Sequence, residues 1–222
     1  MGHILCIETS TTNCSVAISK DGEQLSLVEH DSKNYSHAEQ LHIFIEKALQ
    51  KAELKKSQLN AIAVSKGPGS YTGLRIGLSS AKGLCYGLGI PLISISTLKS
   101  LASQIDTTIN DGLIIPMIDA RRMEVYTQVF DSKLNELTKI EAKILDKGSF
   151  NEFLNSSKTI HFVGNGVEKF ENILPKNTNY SFSYNNPSAK DMIALAFDKY
   201  INQSFEDVAY FEPFYLKEFV GG

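Results

Sequence analysis

The sequence runs to 222 residues, 42% hydrophobic and 21% charged, enough apolar material for one large core or two small ones. A formal charge of −3, with the basic residues spread along the chain, speaks against an independent grip on a phosphate backbone, so any RNA role should be indirect. No run approaches the ~20 apolar residues of a membrane span, and Met1-Gly2-His3-Ile4 is no signal-peptide start. Cys6, Cys14 and Cys85 form neither a C-x-x-C nor a disulfide framework, which fits small buried thiols in a cytoplasmic protein.

In chain order, residues 4–8 form a short apolar run and residues 15–19 a second; Asp21-Gly22 marks a hairpin turn, and alternation resumes over 24–29. This predicts three strands in meander order. Ser36-His37-Ala38-Glu39 reads as a capping box, in which serine and glutamate satisfy each other's amides. Ala38, Leu41, Ile45, Ala48 and Ala52 then hold one face of a helix. A buried strand over 61–65, a helix over 73–88 and a strand over 91–95 follow. The second half repeats the order, with strands at 113–118, 124–130 and 134–144, a short helix at 150–155 and a strand at 159–163. A helix at 166–174 and a final amphipathic one at 190–200 complete it. A polar loop with one weak strand is expected over 177–188. Two successive strand-strand-strand-helix-strand-helix units predict a duplicated α/β architecture with mixed sheets, divided into residues 1–102 and 103–222.

Ile7-Glu8-Thr9-Ser10-Thr11-Thr12 occupies the turn between the first two strands. Such a turn can cradle a phosphate through amides and hydroxyls, but the glycine that would let backbone approach the phosphate is missing. Glu8, Thr9 and Ser10 are therefore candidates for a weak nucleotide contact, or simply a structural hydroxyl-rich turn. The most informative stretch is Lys66-Gly67-Pro68-Gly69-Ser70-Tyr71-Thr72-Gly73-Leu74-Arg75, which joins a strand to a helix. It lacks the ending of a P-loop. It reads either as an anion-binding helix start or as a tight glycine turn with Thr72 as N-cap.

On the helix that follows, Leu74, Leu78, Ala81, Cys85 and Leu88 form one apolar face, at ~100° per residue. Beside it, Gly73, Gly77, Ser80, Leu84 and Gly87 form a stripe of mostly small residues. Interior glycines cost a helix roughly 1 kcal/mol each relative to alanine. A closely approaching helix would explain them, either the first helix of the same chain or one from a partner. The first helix also carries Ile43 among Glu39, Glu46, Lys47 and Gln50, away from its core face. His42, Ile43, Gly73, Gly77, Ser80 and Leu84 are accordingly the predicted partner surface.

The five-residue spacing of His37 and His42 points them about 140° apart on a helix, too far round to share an ion. No metal site is expected. Asp119-Ala120-Arg121-Arg122-Met123-Glu124 bridges the first two strands of the second half. In a duplicated nucleotide-binding fold this is the second phosphate turn, but here it is charged and has no glycine. It reads as an ion-paired turn or a docking surface. Gly164-Asn165-Gly166 ends a strand and opens a helix where such folds contact adenosine, so Gly164 and Gly166 join the possible nucleotide contacts.

Together these segments resemble the TsaB (formerly YeaZ) family. The resemblance rests on Ile7-Glu8-Thr9-Ser10, the glycine-rich stretch from Gly67 to Arg75, Ile118-Asp119-Ala120-Arg121 with Glu124-Val125-Tyr126, and Pro213-Phe214-Tyr215-Leu216-Lys217. It implies an actin-like, duplicated ribonuclease-H-type fold. It also implies pairing with the catalytic paralogue TsaD through the first two helices, self-pairing in isolation, and cooperation with the ATPase TsaE. The paralogue carries a His-x-x-x-His metal motif; by spacing from Pro91 the matching positions here are Thr97 and Leu101, neither a nitrogen ligand. The expectation is a non-catalytic assembly subunit in the threonylcarbamoylation of a tRNA adenosine beside the anticodon. It would hold no cofactor of its own, with ATP entering at the level of the complex. An actin-like ATPase or phosphotransferase is the alternative. A metallopeptidase is disfavoured because neither a nucleophile–base pair nor a set of metal ligands is present.

Overall fold

A computed structural model describes residues 2–32, 37–106, 112–175 and 179–217. The chain divides into two units, one of Met1–Ser100 with Pro187–Gly222 and one of Leu101–Asn186. The expected division was 1–102 and 103–222; the first unit instead takes in the segment from Pro187 onward as well. The 3-10 turn Ala189–Met192 and helix α6 (Ile193–Ile201) belong to the first unit. The reason is apolar burial. Ala189, Met192, Ile193 and Ala196 cover Ile4, Cys6, Ala17, Ala61, Ala63 and Ile93, a sheet face that would otherwise meet water.

The first unit is built on a five-stranded sheet of order β3-β2-β1-β4-β5. β1 (His3–Glu8), β2 (Asn13–Lys20) and β3 (Glu23–Asp31) are the antiparallel meander; β4 (Ala61–Gly67) and β5 (Leu92–Ser96) add in parallel. Helices α1 (His37–Lys51) and α2 (Tyr71–Leu88) cover the opposite face. There Leu41, Ile45, Leu78, Ala81 and Cys85 pack on Leu5, Ile7, Val16, Ile18, Ile62 and Val64. With both faces covered, β1 and β4 read as unbroken apolar runs. The three cysteines are free and buried. Ser36, the predicted cap of α1, lies outside the described residues. α3 (Thr97–Ala102) then follows β5 directly.

The second unit orders its strands β11-β10-β6-β7-β9, with β8 paired on β6. β6 (Leu113–Asp119) and β10 (Ile160–Val163) lie where expected, and β11 (Tyr180–Ser183) is the weak strand of the polar loop. The predicted strand over 124–130 breaks into β7 (Glu124–Thr127) and β8 (Phe130–Asp131), and that over 134–144 shrinks to β9 (Glu141–Ile144). The intervening backbone turns to side chains instead of a ladder. The Thr138 hydroxyl accepts from the Val129 amide at 2.9 Å, and the Asp131 carboxylate from the amides of Lys133 and Asn135 at 2.8 and 2.9 Å. Short helices α4 (Asn151–Leu154) and α5 (Val167–Glu171) close the core around Phe150, Phe162 and Phe170.

Candidate functional site

β1 ends at Glu8 beside its parallel neighbour β4, which leads through Gly67-Pro68-Gly69-Ser70 into α2. The turn after β1 is therefore forced against the glycine-rich loop. Glu8 and Thr9 are fully buried, Ser10 and Thr11 nearly so. The Thr9 hydroxyl donates to the Gly73 carbonyl at 2.8 Å, and the Ser70 amide to the Ser10 carbonyl at 2.7 Å. The Ser10 amide donates to Glu8 Oε1 at 2.6 Å. His37 Nε2 lies 2.7 Å from the Thr11 carbonyl, so that nitrogen carries the proton; burial holds the imidazole below its usual pKa, and this bond partly offsets the shift.

This packing explains three glycines. A Cβ on Gly69 would stand 2.5 Å from the Ser10 carbonyl oxygen, one on Gly73 would strike the Thr9 carbonyl, and one on Gly77 the Thr9 hydroxyl. Gly73 and Gly77 are buried against their own chain and are not partner-facing, as the small-residue stripe had suggested. The close neighbour is a strand turn, not a helix. The N-cap of α2 is Ser70, whose hydroxyl accepts from the Gly73 amide at 3.3 Å, and not Thr72.

Nothing in the spacing of residues announced what covers this loop. The tail of the chain returns over it, with the Phe214 amide donating to the Lys66 carbonyl at 2.7 Å. The Tyr215 and Tyr71 rings lie 4.7 Å apart, and Lys82 Nζ donates to the carbonyls of Ala209 and Phe211 at 2.9 and 3.1 Å. Gly67 sits at φ +107°, and a Cβ there would come 2.7 Å from the Phe214 carbonyl oxygen.

In the second unit the corresponding turn follows β6. Arg121 and Arg122 take left-handed backbone angles, φ 71° and 47°. Asp119 Oδ1 accepts from the Arg121 amide at 2.6 Å and from Lys169 Nζ at 2.7 Å, while Asn165 Oδ1 accepts from the Asp119 amide at 2.9 Å. This is the ion-paired turn. Gly164, at φ +126°, and Gly166 are glycines because Cβ atoms there would meet Met117 and Leu101, and Val125 and Met117, respectively. Their small size serves the packing of Gly164-Asn165-Gly166 on the end of β6. The nucleotide-contact candidates thus fall in separate units, Glu8, Thr9 and Ser10 in one, Gly164 and Gly166 in the other.

The outer face of α1 and α2 remains. His42 and Ile43 are exposed, Ile43 by 51%, and His42 Nε2 lies 3.3 Å from the Ser80 hydroxyl. Ser80 and Leu84 are half-buried. Gly83 and Gly87 are exposed within α2 with nothing inside 4 Å of an added Cβ, and Tyr86 between them is 88% exposed. Gly83 was overlooked in the sequence because it falls on the polar side of the helical wheel.

The family model described as "TsaD: tRNA N6-adenosine threonylcarbamoyltransferase" matches residues 32–218. The protein named tRNA threonylcarbamoyladenosine biosynthesis protein TsaB in Buchnera aphidicola subsp. Baizongia pistaciae is 32% identical over 97% of this chain and 98% of its own. The chain belongs to the TsaB family. Its relative of the same name in Escherichia coli (strain K12) is 28% identical over 97% of this chain and 94% of its own. YeaZ from Pseudomonas aeruginosa superposes with a TM-score of 0.84 at 24% identity, over 97% of this chain and 100% of that one. Component A of (R)-2-hydroxyglutaryl-CoA dehydratase from Acidaminococcus fermentans does so at 0.54 with 11% identity, over 92% and 100%. These likenesses are of fold, and the fold is the actin-like α/β class expected.

Within this TsaB-family chain, Thr97 and Leu101 are both fully buried on α3. Neither offers a nitrogen ligand. Among the described residues no three His, Cys, Asp or Glu side chains converge as a metal site, and no helix is long and apolar enough to cross a membrane.

Proposed function

We propose that the chain is the non-catalytic assembly subunit of the bacterial complex that places threonylcarbamoyl on the tRNA adenosine beside the anticodon. It binds a TsaD-like catalytic paralogue through the outer face of α1 and α2. A TsaE-like ATPase completes the complex, and tRNA is reached only through it. Family membership supports the pathway, since the relatives carry its name. In isolation the same face pairs two copies of the chain.

The observation that carries the docking face is the pair Gly83 and Gly87. Each is exposed inside a helix, and neither is required by contact with the chain itself. Each costs α2 roughly 1 kcal/mol relative to alanine. A partner helix lying close across them, flanked by Ile43 and Tyr86, would recover that cost through burial and contact. Gly87→Leu should therefore leave the circular dichroism of the free chain intact and weaken affinity for the paralogue more than tenfold, about 1.4 kcal/mol. Lys133→Ala, exposed in the other unit, should leave that affinity unchanged. Wild-type affinity in a folded Gly87→Leu chain would remove the face from the proposal.

A further inference from the structure

Where the chain returns to the first unit at Pro187, one carboxylate fastens it to the sheet. Glu29 on β3 stands opposite Ser15 on β2, on the face that the Ala189–Met192 turn and α6 cover. Its Oε2 accepts from three side chains: the Ser188 hydroxyl at 2.6 Å, the Ser15 hydroxyl at 2.9 Å and Asn13 Nδ2 at 3.3 Å. The same two β2 residues also hold the returning backbone. Asn13 Nδ2 donates to the Pro187 carbonyl at 3.0 Å, and Ser15 Oγ accepts from the Ala189 amide at 3.0 Å. Each serine hydroxyl has a single proton, and both protons point at Glu29, so the acceptor that orients the cluster is an ionised carboxylate.

The donors are buried and the acceptor is not. Asn13, Ser15 and Ser188 are shielded from solvent, whereas Glu29 is exposed on the edge strand of the sheet. A proton from solvent therefore reaches the carboxylate without any opening of the fold, and the bonds it weakens lie inside. The charged groups around Glu29 are Lys190 and Asp191 from the turn, and Asp31 two residues along β3; on α6, Asp198 is engaged with Asn202 and Lys199 with the Ser94 carbonyl. Burial pushes the Glu29 carboxyl up, but the bonds from Ser188, Ser15 and Asn13, with Lys190 nearby, outweigh it and hold the pKa below its ordinary value.

We propose that Glu29 is a proton-released fastener for the C-terminal segment: ionised, it anchors residues 187–192 on β2 and β3 and so seats α6, and protonated, it lets that segment open while the sheet beneath stays folded. The sign follows from linkage. A carboxyl held below its unfolded pKa gives stability that is full above the unfolded value and is lost as pH falls through the folded one, so opening is expected below about pH 4.3.

The test compares full-length wild type, Glu29→Gln and Ser188→Ala between about pH 3 and 7 by hydrogen exchange, corrected for intrinsic rate. In wild type, protection of the α6 amides should fall as pH drops below about 4.3, while that of the β1 and β4 amides holds. Glu29→Gln should show about tenfold weaker protection of α6 already at neutral pH, the size of one charge-assisted hydrogen bond discounted for an exposed acid, and little further loss on acidification. Ser188→Ala should lose part of the protection and part of the pH dependence, because one of the three donors is gone. Asp191, which accepts from the Ser188 amide at 3.2 Å, is present in every one of these chains. A pH response undiminished in Glu29→Gln would therefore belong to Asp191 and overturn the fastener. Loss of α6 and β1 protection together in wild type would overturn it as well, since that is global unfolding. Should Glu29→Gln not fold, the Ser188→Ala slope and the wild-type contrast between α6 and β1 decide the matter.

Discussion

The two turns that follow the leading strands of the two units occupy equivalent places in a duplicated fold, and they are closed by opposite means. The first, at Thr9–Thr12, is dry: its backbone lies directly on glycines of α2, and the Thr9 hydroxyl and the Ser10 carbonyl bond to the same chain. The second, after Asp119, is wet: its carboxylate is held by Lys169 and the Arg121 amide at the surface. A phosphate cradle needs free amides and room for backbone approach. One turn has filled that room and the other has engaged its polar groups. The difference between them is energetic, since atoms packed without gaps resist change far more than an exposed ion pair does.

Gly73→Val should break the dry turn outright. With no space for a Cβ beside the Thr9 carbonyl, we expect a loss of about 3 kcal/mol, the upper end of overpacking, read from the urea midpoint. Gly77→Leu should fail the same way, through the fold, and so cannot report on partner binding. Thr9→Val keeps the shape and removes the hydrogen bond to Gly73; about 1–2 kcal/mol is expected from the same measurement. In the wet turn, Lys169→Ala should cost less than about 1 kcal/mol, because the Asp119 side chain is 42% exposed. Arg122→Gly should be neutral or slightly stabilising, since glycine adopts the left-handed backbone without strain. A loss above about 2 kcal/mol for either change would show the second turn to be packed like the first. Calorimetry with ATP and magnesium on the isolated chain should give no low-micromolar binding; such binding together with hydrolysis would favour the ATPase alternative.

Much of this molecule was legible from periodicity. The apolar runs of β1, β2 and β4 and the helical stripe of Leu74, Leu78, Ala81 and Cys85 identify elements buried on known faces, because local geometry fixes which side chains share a face. The glycine-rich stretch marked a place where backbone must approach closely, and it does. What approaches it was not legible. The sequence suggested a second helix across Gly73 and Gly77, whereas the neighbour is Thr9, 64 residues away from Gly73. Periodicity reports how residues are arranged within one element and carries no information about which distant segment meets it.

The same limit explains the misplaced C-terminal segment. An amphipathic helix over 190–200 announces that it will cover apolar surface, but not whose. Placement on the first unit follows from the uncovered sheet face there. The tail over the glycine-rich loop is set by backbone hydrogen bonds, such as that from Phe214 to Lys66, which every residue but proline can make. Residue types and their spacing thus determined the elements, their buried faces and the family. Segments far apart in the chain met where exposed apolar surface and unpaired backbone groups had to be satisfied together, and that was decided by folding in three dimensions.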